Sequence, residues 1–223
     1  MALSVQNITL SYDGKTHIIS NLSFDLVSGD ILLIEGRNGI GKTTILKSIA
    51  GLIKPIHGKI LINNYDIHLS PNSLRYFLVS FAQQSPNYSS PIRVIEFIEM
   101  ANLNYSFSYQ KRMKKFVNLL EIENLLFKPL NTLSDGQKKL VLLCRTFIQN
   151  TKVVLLDEPE AFLDIYNQKL IVKAIKEISN EGKIVTFVSH NQSFYSQIYN
   201  KKLQILSSEK FWIEKEIFYR RSL

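Results

Sequence analysis

The segment Gly36-Arg37-Asn38-Gly39-Ile40-Gly41-Lys42-Thr43-Thr44 decides how the rest of the chain is read. It satisfies G-x-x-x-x-G-K-[ST], and it sits in the surroundings that this pattern requires. Before it, Ile31-Leu32-Leu33-Ile34 is a continuous apolar run, the mark of a buried parallel strand. After it, Thr43 to Ile53 carries Ile45, Leu46, Ile49 and Leu52 at helical spacing. Glycines let the backbone curl until successive N–H groups point inward, and the helix N-terminus adds partial positive charge. A cradle of this kind fits nucleotide phosphates. Lys42 is expected to reach the β- and γ-phosphates, and the Thr43 hydroxyl to ligate Mg²⁺.

A second apolar strand, Val153 to Leu156, ends in Asp157-Glu158-Pro159. The carboxyl edge of an open α/β sheet is where ligands bind, so the paired carboxylates belong beside the phosphates. Asp157 suits coordination of Mg²⁺ in the outer shell, and Glu158 suits general-base work on an attacking water. Elsewhere, residues 3–10 and 22–27 alternate apolar and polar, as half-buried antiparallel strands do. Gly58 to Ile62, Leu78 to Phe81 and Ile184 to Val188 are further strands. Residues 92–128 read as helical, with a basic run at Lys111 to Lys115. Two more helices are expected at Gln137 to Gln149 and at 166–179. The first carries Leu140, Leu143, Cys144, Phe147 and Ile148 on one face, which makes Cys144 a buried core thiol. Alternating strands and helices predict an α/β fold with a parallel sheet covered on both sides.

With 223 residues, the chain has room for one sizeable domain. Its 45% hydrophobic and 21% charged residues mark a globular protein, and no apolar run is long enough to span a membrane. The opening residues lack the pattern of a signal peptide, and one cysteine excludes an internal disulfide, so the expected compartment is the cytosol. The net charge of +8 is spread along the chain, so it does not by itself single out nucleic acid or a membrane surface.

Leu133-Ser134-Asp135-Gly136-Gln137, just before the amphipathic helix, resembles the LSGGQ signature of ATP-binding-cassette (ABC) proteins. The resemblance covers essentially the whole chain, with every motif in the family's order. It implies a P-loop NTPase with a RecA-like parallel-sheet core, an N-terminal antiparallel β subdomain and a small helical subdomain at about 85–132, all within a single ABC ATPase domain at 1–223. By the same resemblance, Tyr12 stacks on adenine, Glu160-Ala161-Phe162-Leu163-Asp164 is the D-loop, and His190 is the switch histidine. The glutamine that links Mg²⁺ and the γ-phosphate to a partner is Gln84, with Gln83 the alternative. The nucleotide is then held by Tyr12, the whole 36–44 segment, and Ser134, Gly136, Gln137 and Asp164; Thr43, Gln84 and Asp157 serve the metal; Glu158, His190 and Gln84 serve catalysis.

Two positions depart from the family pattern. Asp135 replaces the first signature glycine, leaving Ser134 and the Gly136 backbone to meet the opposing γ-phosphate. Glu160 replaces the usual small hydroxyl residue after Pro159, which is expected to add charge near the dimer seam. Neither is a residue expected to do chemistry.

The expected activity is ATP hydrolysis by a pair of cassettes, identical or related. Non-transport members of the family carry two cassettes or long coiled-coil insertions, and this chain has neither. The resemblance therefore favours a transport ATPase on the inner face of the cell membrane, acting on separate transmembrane permease subunits, with no nucleic acid expected. LSDG and AFLD, read at 133–136 and 161–164, are similar to the ATPases of iron-siderophore, haem and cobalamin importers. The alternatives are a small exporter ATPase or a soluble non-transport member.

Overall fold

The computed structural model describes residues 2–84, 91–101 and 107–215. In chain order, the strands are β1 (Ala2–Leu10), β2 (Ile19–Val27), β3 (Ile31–Gly36), β4 (His57–Ile62), β5 (Tyr65–Asp66), β6 (Val79–Ala82), β7 (Val153–Asp157), β8 (Ile184–Val188), β9 (Lys201–Ile205) and β10 (Phe211–Lys215). The helices are α1 (Lys42–Ile49), α2 (Asn72–Leu78), α3 (Val94–Glu99), α4 (Phe107–Leu119), α5 (Asp135–Ile148), α6 (Ile165–Asn180) and α7 (Gln192–Tyr195).

Two sheets result. One is antiparallel, in the order β2-β1-β4-β5, and the other runs β10-β9-β3-β8-β7-β6. In the second sheet β9, β3, β8, β7 and β6 are parallel, and only β10 runs the other way. The sequence assigns the strand at 58–62 to no particular sheet; it pairs with β1 in the antiparallel one.

The apolar run of β3 is continuous because both of its faces are buried. Ile31 and Leu33 join a cluster with α3 to α6, including Phe116, Leu143, Phe147 and Ile171. Leu32 and Ile34 join the opposite cluster with α1 and the antiparallel sheet, including Leu3, Ile45 and Leu46. Side chains alternate across a strand, so a strand buried on both faces cannot show polar alternation. Cys144 is fully buried in the first cluster, and burial holds its thiol well above the ordinary range.

Between 91 and 132 the described residues form α3, α4 and two short 3₁₀ turns, Glu123–Leu125 and Leu130–Thr132. One bridge, Arg93 with Pro129, closes this segment. Residues 85–90 and 102–106 of the expected helical subdomain lie outside the described residues. The segment is joined to the core by Phe116 against Phe147, with ring centroids 5.6 Å apart. Ion pairs reinforce that junction: Arg112 with Glu181 at 2.5 Å, and Lys115 with Glu177 at 2.5 Å and Glu181 at 2.9 Å.

Candidate nucleotide site

Parallel strands deliver their carboxyl ends to one edge, and four of them deliver a motif there. β3 leads into the phosphate loop, β6 into Gln84, β7 into Asp157 and Glu158, and β8 into Ser189 and His190. The register keeps these ends level, with Ile34 opposite Val188, Asp157 opposite Val188 and Ala82 opposite Leu156. The edge opens into a cleft of about 600 Å³ lined by Tyr12, Ile18, Asn38, Gly39, Gly41, Lys42, Thr43, Thr44, Gln84, Glu158 and His190.

Gly41 adopts φ +107 immediately before α1. A Cβ there would lie 2.6 Å from Ile18 Cγ2, so both the left-handed backbone and the space require glycine. Lys42 bends back over the loop, its Nζ donating to the carbonyls of Gly36 (2.8 Å) and Arg37 (3.0 Å). Desolvation lowers its pKa, while Glu158, Asp157 and Glu35 oppose that shift. A phosphate in the cleft offers this ammonium stronger, charged acceptors than two carbonyls do. Lys42→Ala should therefore weaken ATP binding about ten- to a hundredfold, the worth of one charge-assisted hydrogen bond. Equilibrium binding of a fluorescent ATP analogue measures this. Unchanged affinity would remove Lys42 from the phosphate site.

The Thr43 hydroxyl lies 3.1 and 3.0 Å from the two carboxylate oxygens of buried Asp157. Burial raises the Asp157 pKa and Glu158 adds to the rise, whereas the Thr43 hydrogen bond and Lys139 pull it down. A cation beside this carboxylate would relieve its burial. Thr43, Asp157 and the amide oxygen of Gln84 together make an all-oxygen donor set, which suits a hard divalent ion such as Mg²⁺.

Glu158 stands between two partners. Gln84 Nε2 donates to its Oε2 at 2.5 Å, and His190 Nε2 lies 3.1 Å from its Oε1. Of the adjacent glutamines, Gln84 lines the cleft, whereas Gln83 contributes its backbone carbonyl to a bond with Lys139. Tyr12 is exposed at the cleft mouth, its hydroxyl 3.0 Å from Thr44 Oγ1.

Glu160 is held from within the chain, its carboxylate turned toward the segment after β8. Ser189 Oγ donates to Oε1 at 2.5 Å, the His190 amide at 3.2 Å, and the Tyr195 hydroxyl to Oε2 at 3.4 Å. Three donors from the segment after β8 thus meet this half-buried carboxylate.

Ser134, Gly136, Gln137 and Asp164 do not line the cleft. Ser134 caps α5 by accepting from the Gln137 amide (3.3 Å), and the Gln137 side chain accepts from the Ser134 amide (3.1 Å). Asp164 caps α6, accepting from the Asn167 amide at 2.8 Å. Gly36, Arg37 and Ile40 shape the loop from behind without lining the cleft.

Two residues of the site were missed from the sequence. Ile18 forms a cleft wall beside Gly41. Lys139 is wholly buried, and desolvation lowers its pKa to about 8 against the pull of Asp157, Glu160 and Glu158. A helix wheel gives a signal for it: Lys139 lies one turn before Leu143, on the edge of the apolar face.

The chain is similar to known proteins along nearly its full length. The family described as ABC transporter matches residues 19–161, a span that runs from β2 through the phosphate loop to the residues after Glu158. The "Probable iron chelatin transport ATP-binding protein" of Helicobacter pylori is 31% identical over 222 residues, covering 96% of this chain and 87% of that protein. The molybdate import ATP-binding protein MolC of Haemophilus influenzae is 30% identical over 221 residues, covering 94% and 81%. Among solved structures, a dimeric bacterial ABC transporter cassette superposes with a TM-score of 0.84 at 25% identity, over 96% of this chain and 98% of that one. Phosphate loop, paired carboxylates and signature segment thus stand within one ABC ATPase fold, and the chain belongs to the ABC transporter ATP-binding family.

Proposed function

We propose that this chain is the ATP-binding and ATP-hydrolysing subunit of an ABC membrane transporter, driving translocation through separate transmembrane subunits. One observation carries the reading: Glu158, joined to Gln84 and His190, faces the phosphate loop across a single cleft. In this arrangement Lys42 and the loop amides bind the β- and γ-phosphates, and Tyr12 receives the base. Glu158 accepts the proton of the attacking water, and Gln84 and His190 hold that carboxylate in place. Thr43, Asp157 and Gln84 would hold Mg²⁺, which supplies neutralising charge at the phosphates when bound.

Residues 1–223 act as one cassette, with the segment that carries α3 and α4 facing the permease. No helix among the described residues is long and apolar enough to cross a membrane; the place we propose for the chain is the inner face of the cell membrane, on separate membrane partners. The cargo we propose is an iron complex, supported by the relative named for iron chelatin transport. Cells lacking the chain should lose energy-dependent uptake of labelled ferric chelate, and regain it with the wild-type chain but not with Asp157→Asn. Loss of molybdate uptake alone would redirect the cargo, and no uptake defect at all would overturn the transport reading.

A further inference from the structure

We propose that Lys139 is a positioning residue for hydrolysis, a buried ammonium through which α5 holds the loop of Gln84 and the strand end before Glu158 in working register. The inference rests on the reading of Glu158 as the base.

The Lys139 Nζ donates to three backbone carbonyls: Gln83 O at 3.1 Å, Gln84 O at 3.0 Å and Asp157 O at 3.1 Å. An ammonium has three donors, so every one is used. Two of the acceptors belong to the segment leaving β6, and the third closes β7 one peptide before Glu158. The backbone ladder between these segments ends at the pairing of Ala82 with Leu156, short of both Gln84 and Glu158, and beyond it the Gln84–Glu158 side-chain bond is the other link. Lys139 extends that connection past the end of the ladder, where the two functional side chains begin.

The same face of α5 makes a second grip. Gly136, three residues earlier and one turn up the helix, lies so close to the loop beyond Glu158 that a Cβ would stand 2.7 Å from Phe162 O. Helix α5 therefore holds the 157–162 segment at both ends, by a charge at Asp157 and by close approach at Phe162. Between them, Glu158 takes φ +46, a left-handed backbone that an L-residue keeps only when its surroundings impose it. The same helix begins at Ser134, the residue expected to meet the opposing nucleotide. The arrangement thus connects the signature end of one chain to the placement of its own base.

The test compares Lys139→Gln and Lys139→Met with the wild-type chain. Met keeps an unbranched apolar stem one atom shorter than lysine and leaves all three carbonyls without their Lys139 donor, whereas Gln, of the same reach as Met, keeps two donors. ATP affinity measured without Mg²⁺ should be unchanged, since Lys139 touches neither Lys42 nor the loop amides, while kcat should fall about tenfold in Lys139→Gln and about a hundredfold in Lys139→Met, the loss expected for misplaced reacting groups. In a Glu158→Gln background, Lys139→Met should produce no further loss, because there is no base left to misplace. Equal kcat in all three single chains, with only the melting temperature lowered, would overturn the positioning role and reduce Lys139 to a structural residue. A parallel loss of ATP affinity without Mg²⁺ would overturn it as well. Substantial turnover in Glu158→Gln alone would instead strike at the assigned base, so the two failures are distinguishable.

Discussion

Glu158→Gln should abolish phosphate release and leave ATP binding intact. The substitution keeps the size and polarity of the side chain, so the cleft and the bonds from Gln84 and His190 persist in shape. It removes the only feature that accepts a proton. General-base catalysis contributes about a hundred- to ten-thousandfold, and a loss in that range is expected for single-turnover hydrolysis. Affinity should rise slightly, because the removed negative charge lines the same cleft as the residues that receive the phosphates. Phosphate release and nucleotide affinity measured on the same preparation decide the matter. Turnover close to the wild-type value would dismiss Glu158 as the base.

The second large effect is on assembly. Ser134 and Gly136 lie outside the cleft of their own chain, so they can complete a nucleotide site only in another copy or a related cassette. Two chains placed head to tail would each lend a signature to the other, a two-fold arrangement burying two nucleotides. Hydrolysis dissolves that bridge, so the free chain should run as a monomer. Glu158→Gln with ATP and Mg²⁺ should double in mass by light scattering. Ser134→Arg should block the doubling with bulk at the γ-phosphate contact. Because it also deletes the α5 cap, worth about 1 kcal/mol, Ser134→Asp serves as its companion: aspartate caps a helix as well as serine does but repels a phosphate. A monomeric mass at high protein and ATP concentration would count against self-pairing and favour a related partner cassette or closure on the permease.

What could be read from the chain divides along a physical line. The phosphate loop, the Val153–Asp157 strand and the amphipathic face of α5 were legible because each is a local pattern with a local cause. The sheet to which residues 58–62 belong was not, since strand period reveals burial but not partner. Lys139 escaped because lysine is almost never fully buried, and only three carbonyls from two remote segments make its burial tolerable. Glu160 shows the same dependence: the sequence places a carboxylate after a strand, and its partners Ser189, His190 and Tyr195 arrive only from the next crossover. Local chemistry announces itself in the sequence, whereas satisfaction of a buried charge is a property of the assembled fold.

The backbone of Glu158 has a further consequence, one for the evolution of the chain. Its φ of +46 costs a side-chain-bearing residue about 1–2 kcal/mol. Glycine would remove that cost, and its extra freedom in the unfolded chain would return only about 0.4–1 kcal/mol of it. Selection for foldedness alone would therefore drift this position toward glycine and erase the base. On the reading of Glu158 as the base, selection on turnover would oppose that drift, and a lineage released from it should lose this carboxylate early while keeping the sheet that carries it.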